Sequence, residues 1–415
     1  MANSSEFYPP LLNPLFVRLC QSIIPLIGYW QYRMTLEISK NDLEKIAALG
    51  DYRMLLLSNH PSYHDWIAIF LLSARLGNMF YYLAAIERFK GKSGRFLQML
   101  GAYSIRRGLA DRASVAQTLQ LLMQPQCQMV VFPEGGCSFQ NDTVMPFKVG
   151  AVQMAFQAMN KLVKQGEAVP DLYTVPVSLK YRYTGDMNQV IDETLTQLET
   201  ALQIQQITSP SSVIPGDKKG GMDSQVQFGQ NFYPRLRAIA EKVLVSFEKD
   251  YGLYTDEIAQ QNWNDRIIQL KAHIIQGCEQ KLGLISAPGE AIRERVYKIQ
   301  KVLESCAESL GEDDFWTYES LHKAAARLLN FDAIYDGYVA ANPTAERFLE
   351  TLLRLEREVF GIRQPIPKGD RKVLIKVGEP INLKNYFENY QKDKSGTVNF
   401  IVKNLQENVQ TLLLV

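Results

Sequence analysis

Three absences narrow this 415-residue chain before any motif is read. Neither charge is in excess: 45 Lys and Arg stand against 44 Asp and Glu, and a net +1 gives no electrostatic basis for nucleic acid as a partner. None of the five cysteines (Cys20, Cys127, Cys137, Cys278, Cys306) forms a Cys-x-x-Cys pair. Their odd number and wide scatter predict free thiols and a reducing compartment. At the amino end there is no uninterrupted apolar run of the ~20 residues that a bilayer span requires. Residues 11–30 are apolar but broken by Pro14, Arg18 and Pro25, and their longest uncharged piece, 19–30, has 12 residues. Met1 to Glu6 carries no basic residue ahead of this stretch, so no cleavable signal peptide is expected.

What is present in that first segment suits an amphipathic helix lying in a membrane interface. Leu15, Phe16, Leu19, Ile23, Ile24, Leu26 and Ile27 would face acyl chains, with Tyr29 and Trp30 at headgroup level. A helix packed on the core satisfies the same pattern, and the residues alone do not choose between the two.

Histidine is scarce, with four in the chain, and two of them fall in one short run, Asn59-His60-Pro61-Ser62-Tyr63-His64-Asp65. A histidine followed closely by a carboxylate supplies a general base and the group that orients it, the pairing that activates a hydroxyl nucleophile. Far downstream, Phe132-Pro133-Glu134-Gly135-Gly136 ends an apolar stretch in a glutamate beside two glycines, which let backbone approach a ligand closely. The two runs in this order suggest an acyl-transfer site.

Together they resemble the glycerol-phosphate and lysophosphatidic acid acyltransferase superfamily, whose members share four short motifs in fixed order. His60 to Asp65 is similar to the catalytic His-x4-Asp motif, Gly101 to Arg107 to the second motif, Phe132 to Gly135 to the third, and Thr174-Val175-Pro176-Val177 to the fourth. The likeness extends to Pro146-Phe147-Lys148-Val149-Gly150-Ala151 and to the closing Val377-Gly378-Glu379-Pro380-Ile381. It implies His60 and Asp65 as catalytic residues, and Arg106, Arg107, Glu134, Gly135, Gly136, Lys148 and Pro176 as substrate-binding ones. It does not separate Arg106 from Arg107 as the phosphate ligand. It also implies membrane lipid as partner, acyl-CoA or acyl carrier protein as co-substrate, no resident cofactor or metal, and a membrane-associated, cytoplasmic location for phospholipid biosynthesis. One departure stands out. Members acting on lysophosphatidic acid commonly continue the third motif as Gly-Thr-Arg-Ser, whereas this chain reads Gly135-Gly136-Cys137-Ser138. The reaction class is unaffected, and the acceptor stays open among lysophosphatidic acid, glycerol 3-phosphate, another lysophospholipid and a neutral glycerolipid.

Short Val, Ile and Leu-rich runs at 54–58, 80–84, 102–105, 129–132 and 173–179 alternate with helical stretches at 66–76, 93–100, 112–123 and 150–165. This predicts an α/β fold, a mixed sheet flanked by helices, with the chemistry at strand ends. Residues 186–204 read as a helix and 208–229, rich in Ser, Pro, Gly and Gln, as a flexible loop. Helix then follows helix until a strand returns at 372–377 and a last helix at 398–413. The expected organisation is an amphipathic segment at 1–40, an acyltransferase domain at 41–185 plus 366–415, and an all-helical insertion at 186–365 before the closing strand. In the insertion His273 and His322 read as structural or surface residues, and Phe315, Trp316, Tyr318, Phe331, Tyr335 and Tyr338 as helical core.

Two competing site chemistries are weighed. His60 and His64 stand four apart, as in a metalloprotease helix, but no Glu follows His60 and no third histidine is near. Cys137 is a candidate acyl-carrying nucleophile, but no base adjoins it in sequence. The expectation is therefore direct transfer with neither a metal nor an acyl-enzyme intermediate. A non-catalytic lipid-binding scaffold is the reading outside enzymology. Oligomeric state is not legible.

Overall fold

The computed structural model describes residues 7–108, 111–204, 223–305, 317–364 and 366–414. The expectations for Met1 to Glu6, for 208–222 of the loop, and for Cys306, Phe315 and Trp316 lie outside the described residues. The chain forms two compact units, one of Met1–Thr184 with Asp370–Val415, the other of Gly185–Gly369.

In the first unit the order is α1 (Pro14–Trp30), β1 (Met34–Ile38), α2 (Lys40–Ala47), β2 (Arg53–Ser58), α3 (Asp65–Leu76), β3 (Tyr81–Ala85), α4 (Lys92–Met99), β4 (Ala102–Ile105), α5 (Arg112–Met123), β5 (Gln128–Val131), α6 (Gly150–Lys164) and β6 (Leu172–Tyr183). The second unit follows as α7 (Asn188–Ala201), α8 (Asp223–Asp250), α9 (Asp256–Ala259), α10 (Trp263–Leu282), α11 (Ile292–Ser305), α12 (Tyr318–Asn330), α13 (Tyr338–Ala341) and α14 (Ala345–Val359). The chain then returns to the first unit with β7 (Arg371–Val377), β8 (Ile381–Asn382), α15 (Phe387–Lys392) and α16 (Lys394–Leu414). The mixed α/β class and the helical insertion before the closing strands are as the sequence predicts.

The strands make one eight-stranded sheet in the order β1-β7-β6-β2-β5-β3-β4, with β8 alongside β6. β6, β2, β5, β3 and β4 run parallel, whereas β7 lies antiparallel to β6 and carries β1 parallel to itself. Residues 34–38 therefore belong to the sheet rather than to the amino-terminal segment. β2 is buried on both faces, which is why Met54-Leu55-Leu56-Leu57 is a continuous apolar run. Its side chains still alternate. Leu55 and Leu57 join a core with Met129, Phe156 and Leu405, and Met54 and Leu56 join another with Val17, Ile67 and Phe70.

Helix α1 packs one face on the core and leaves the other exposed. Val17, Gln21, Ile24 and Gly28 are buried, and Gly28 lets the helix come close to Leu71 of α3. Ile24, expected among the lipid-facing residues, is thus a core residue, because it shares the helical face of Val17 and Gly28. The opposite face exposes Leu15 (84 %), Leu19, Ile23, Leu26, Ile27 and Trp30 (78 %).

A proline inside a central strand is unusual because it cannot donate to the ladder. Pro176 is tolerated because its amide position faces the gap where β7 ends at Val377 and β8 has yet to begin. Its carbonyl accepts from Gly378 N at 2.9 Å. The gap is narrow: a Cβ on Gly378 would stand 2.8 Å from Pro176 Cγ.

The second unit is held by arginines that bury their charge against carboxylates. Arg266 pairs with Glu248 at 2.8 Å, Arg235 with Glu199 at 2.7 Å, and Arg327 with Glu358 at 2.8 Å. Phe331 packs edge-on against Phe247, and Tyr338 is buried, in keeping with a helical core, whereas Tyr335 is exposed. His273 is exposed, and His322 meets Tyr318 edge-on. Helix α8 begins at Asp223, so 223–229 are helical rather than loop.

Gly378→Ala is expected to destabilise the first unit by about 1–3 kcal/mol through overpacking against Pro176, read as a lower denaturation midpoint in urea.

Candidate active site

Parallel strands β2 and β5 are adjacent and end side by side, so the residues that follow them meet at the carboxyl edge of the sheet. Past Ser58, β6 continues without a β2 neighbour on that side. Two asparagine side chains take the missing strand's place. Asn59 donates to Leu179 O at 2.9 Å and accepts from Leu179 N at 2.8 Å, and Asn141 makes the same reciprocal pair with Tyr181, each bond 2.6 Å.

Asn59 thereby anchors the turn that carries His60. Pro61 does not open a helix. Helix α3 starts at Asp65, and the intervening residues form a turn that bends Asp65 back toward His60. Asp65 Oδ2 takes His60 Nδ1 at 2.6 Å and the amide of Ser62 at 2.9 Å, while Oδ1 takes the Tyr181 hydroxyl at 2.6 Å. A carboxylate at the first position of a helix is also favoured by the helix dipole. Tyr181 is held from behind by the guanidinium of Arg371, 4.9 Å above its ring.

The third-motif run closes over the imidazole. Phe132 stacks on His60 at 4.5 Å, and Glu134 Oε1 accepts from the His60 amide at 3.1 Å. That glutamate oxygen is therefore committed to the His60 turn. Gly135 turns with φ +73, a conformation open to glycine, and a Cβ there would collide with Lys148 Nζ. Lys148 is thus brought to the loop, its amide bonded to Pro133 O at 2.9 Å. Half-buried Gly136 and Cys137 follow, and Ser138 N donates to His60 O at 2.8 Å. Cys137 Sγ stands 3.4 Å from His60 Nε2. From the far side, Gln406 and Gln410 of α16 accept from the amides of Phe147 and Val144 at 2.9 Å each and pin the stretch leading to α6.

Residues 37–180 match the Acyltransferase family model. They form an acyltransferase domain. The matched segment holds all four motif regions, from the end of β1 into β6, and none of the second unit. No curated protein sequence matches the chain closely enough to add a relative.

Within the acyltransferase domain the site is a buried acid against a ring one-fifth exposed, since the Asp65 side chain is fully covered and that of His60 is 20 % accessible. Burial favours neutral imidazole, but the sulfur of Cys137 and the hydrogen-bonded carboxylate of Asp65 outweigh it and hold His60 well above 6.5. Burial and the Asp65 charge push the Tyr181 phenol far above its ordinary range, against the pull of Arg371, so it remains a donor. His64 goes the other way. Burial and the nearby charges of Arg371 and Arg88 lower it to about 4, and Arg371 bonds its Nδ1 at 2.9 Å. It is a neutral acceptor turned to structural use, and among the described residues no group of three His, Cys, Asp or Glu is arranged to hold a metal.

Other motif residues are not gathered at this point. Arg106 and Arg107 follow β4, three places from β2 in the sheet, roughly 14 Å at ordinary strand spacing. Arg106 Nε lies 3.5 Å from Asp111 and Arg107 3.4 Å from Glu87. Pro176 sits within the sheet beside Leu57. Tyr181 and Asn141 are the site residues that sequence reasoning missed. Tyr181 lies past the strand expected at 173–179, on the longer β6, and no local signal says that its hydroxyl reaches Asp65.

Titration of the His60 ring by NMR is expected to give an apparent pKa above 6.5, and Asp65→Asn to move it downward. Because the folded value is the raised one, the stability from this contact is complete below about pH 6.5 and is lost as pH rises through the folded pKa.

Proposed function

We propose that the protein is a peripheral membrane glycerolipid O-acyltransferase that moves a fatty acyl group from acyl-CoA or acyl carrier protein to a hydroxyl of a lysophosphatidic acid-like acceptor. The observation that carries this reading is the His60–Asp65 pair at the strand ends of an acyltransferase domain. Asp65 engages Nδ1, leaving Nε2 to take the hydroxyl proton as oxygen attacks the thioester. The buried carboxylate then stabilises the imidazolium that forms, as in a hydrolase triad. Tyr181 acts as a positioning residue by holding the second oxygen of Asp65.

Lys148 beside the Gly135 turn supplies positive charge near the reacting pair, and Arg106 and Arg107 serve a phosphate of the acceptor or donor farther along the edge. A thioester is already an activated acyl group, so the transfer draws on these side chains with no cofactor. No described helix is long and apolar enough to cross a membrane. The exposed apolar face of α1, ending in Tyr29 and Trp30, suits an interface-bound helix instead. Free Cys20, Cys127, Cys137 and Cys278 suit the reducing, cytoplasmic face.

The test is acylation by the purified protein, with each donor, of glycerol 3-phosphate, lysophosphatidic acid, other lysophospholipids and diacylglycerol. His60→Ala is expected to lower turnover by roughly 10²–10⁴-fold. Turnover unaffected by that change removes His60 as the base. Absence of turnover with every pair, in folded and lipid-bound protein, favours the scaffold reading. Arg106→Ala is expected to raise the acceptor KM with little effect on the urea midpoint. Leu15→Asp with Leu19→Asp is expected to weaken sedimentation with anionic phospholipid vesicles without altering the fold, since both side chains are exposed.

A further inference from the structure

Arg371 opens β7, with which the chain returns to the first unit, and lies outside the residues 37–180 that carry the family match. In the antiparallel pair of β6 and β7 it stands opposite Tyr183, and Val373 stands opposite Tyr181, so Arg371 and Tyr181 are diagonal neighbours on one face. The guanidinium rests 4.9 Å over the Tyr181 ring, and the hydroxyl of that ring donates to Asp65 Oδ1 at 2.6 Å.

A guanidinium drawn into the protein is ordinarily matched by a carboxylate. Among the described residues none pairs with Arg371, and the preceding Asp370 is committed to Arg33 at 2.7 Å. Its Nη2 goes instead to His64 Nδ1 at 2.9 Å, and its Nε is buried with no partner. His64 is neutral, because burial and the charges of Arg371 and Arg88 lower it to about 4. It therefore fixes the guanidinium without cancelling its charge, which is left facing Tyr181.

Resting on the acyl-transfer reading above, we infer that Arg371 is a positioning residue for the catalytic pair, its unmatched charge acting on Asp65, and so on the basicity of His60, through Tyr181. A cation over the ring face draws electron density from the phenol and makes its O–H a stronger donor. Burial and the Asp65 charge raise the Tyr181 phenol, and Arg371 pulls it back. The stronger the bond from Tyr181, the less Asp65 charge remains to hold a proton on His60. The same cation also opposes a positive imidazolium directly. Both effects ease His60 toward its neutral form. Burial of His60 works in that sense too, but Cys137 and Asp65 outweigh it and hold the ring well above 6.5. Glu134 sits on its amide and Lys148 at the Gly135 turn. A base held too high stays protonated at neutral pH and takes no proton from a hydroxyl.

The test uses the full chain with ring-labelled histidine. The His60 signal, assigned by its loss in His60→Gln, is titrated in wild type, Arg371→Met, Arg371→Lys and Tyr181→Phe. The pH profile of kcat/KM is taken with whichever donor and acceptor give turnover. Arg371→Met is expected to move the His60 pKa upward, and Arg371→Lys, which keeps the charge, to leave it near the wild-type value. In Arg371→Met kcat/KM is expected to fall roughly three- to tenfold at pH 7 and to recover as pH rises. Tyr181→Phe removes only the hydroxyl and is expected to move the His60 pKa the same way, so it gives the answer even where Arg371→Met does not fold. A His60 pKa unmoved in Tyr181→Phe or in folded Arg371→Met overturns the inference. So does a loss of kcat/KM that is equal at every pH, or one that Arg371→Lys does not restore. In each of these cases wild-type turnover leaves the acyltransferase reading standing. Absence of wild-type turnover with every donor and acceptor overturns that reading and, with it, the part given to Arg371.

Discussion

The carboxylate of Asp65 is the point on which the geometry at the carboxyl edge of the sheet depends. It receives the imidazole of His60, the amide of Ser62 and the hydroxyl of Tyr181, and so joins a turn, a helix start and a strand that are distant in sequence. A carboxylate this covered is tolerated because every direction from which charge would be missed is filled by a donor. Remove one donor and the others lose their register, which makes this a cooperative unit rather than a list of contacts.

Around that unit the sheet edge is built to stay in place without a further strand. Asn59 and Asn141 satisfy the backbone of β6 beyond the end of β2, and Glu134 and Ser138 tie the loop after β5 to the turn after β2. In the proposed reaction such geometry would serve the base, because reacting groups held in place need no ordering at the moment of reaction. The same framework sets the environment of the two histidines apart. His60 is raised by its acid and its sulfur neighbour, and His64, four residues on, is lowered to about 4 by burial and Arg371. Two copies of one residue type are given opposite work by what surrounds them.

The second unit holds itself together differently. Its helices are joined by arginines such as Arg266 and Arg235, sunk among glutamates, rather than by apolar contact alone. A buried ion pair adds little net stability over a well-packed apolar pair, yet an unmatched partner is costly, so such pairs penalise every alternative packing of the helices. In the first unit α1 shows the reverse economy, one face committed to the core and the other left apolar and open.

The sequence alone determined the α/β class, the helical insertion, the positions of most strands to within a residue or two, β6 running four residues past its expected end, and the pairing of His60 with Asp65. These depend on period, on apolar runs and on contacts closed within a few residues, which local sequence encodes. It left β1 unseen, for although Met34 to Ile38 alternates apolar with polar residues, a five-residue run is too short to stand apart from the apolar segment before it. Only the tertiary structure decided that Tyr181 completes the Asp65 site, that Glu134 serves the His60 backbone, that Arg106 and Arg107 stand three strands away, and that Cys137 meets His60. Each of these follows from the order β6-β2-β5-β3-β4. Strand order is set by how whole faces pack, and no short run of residues carries it.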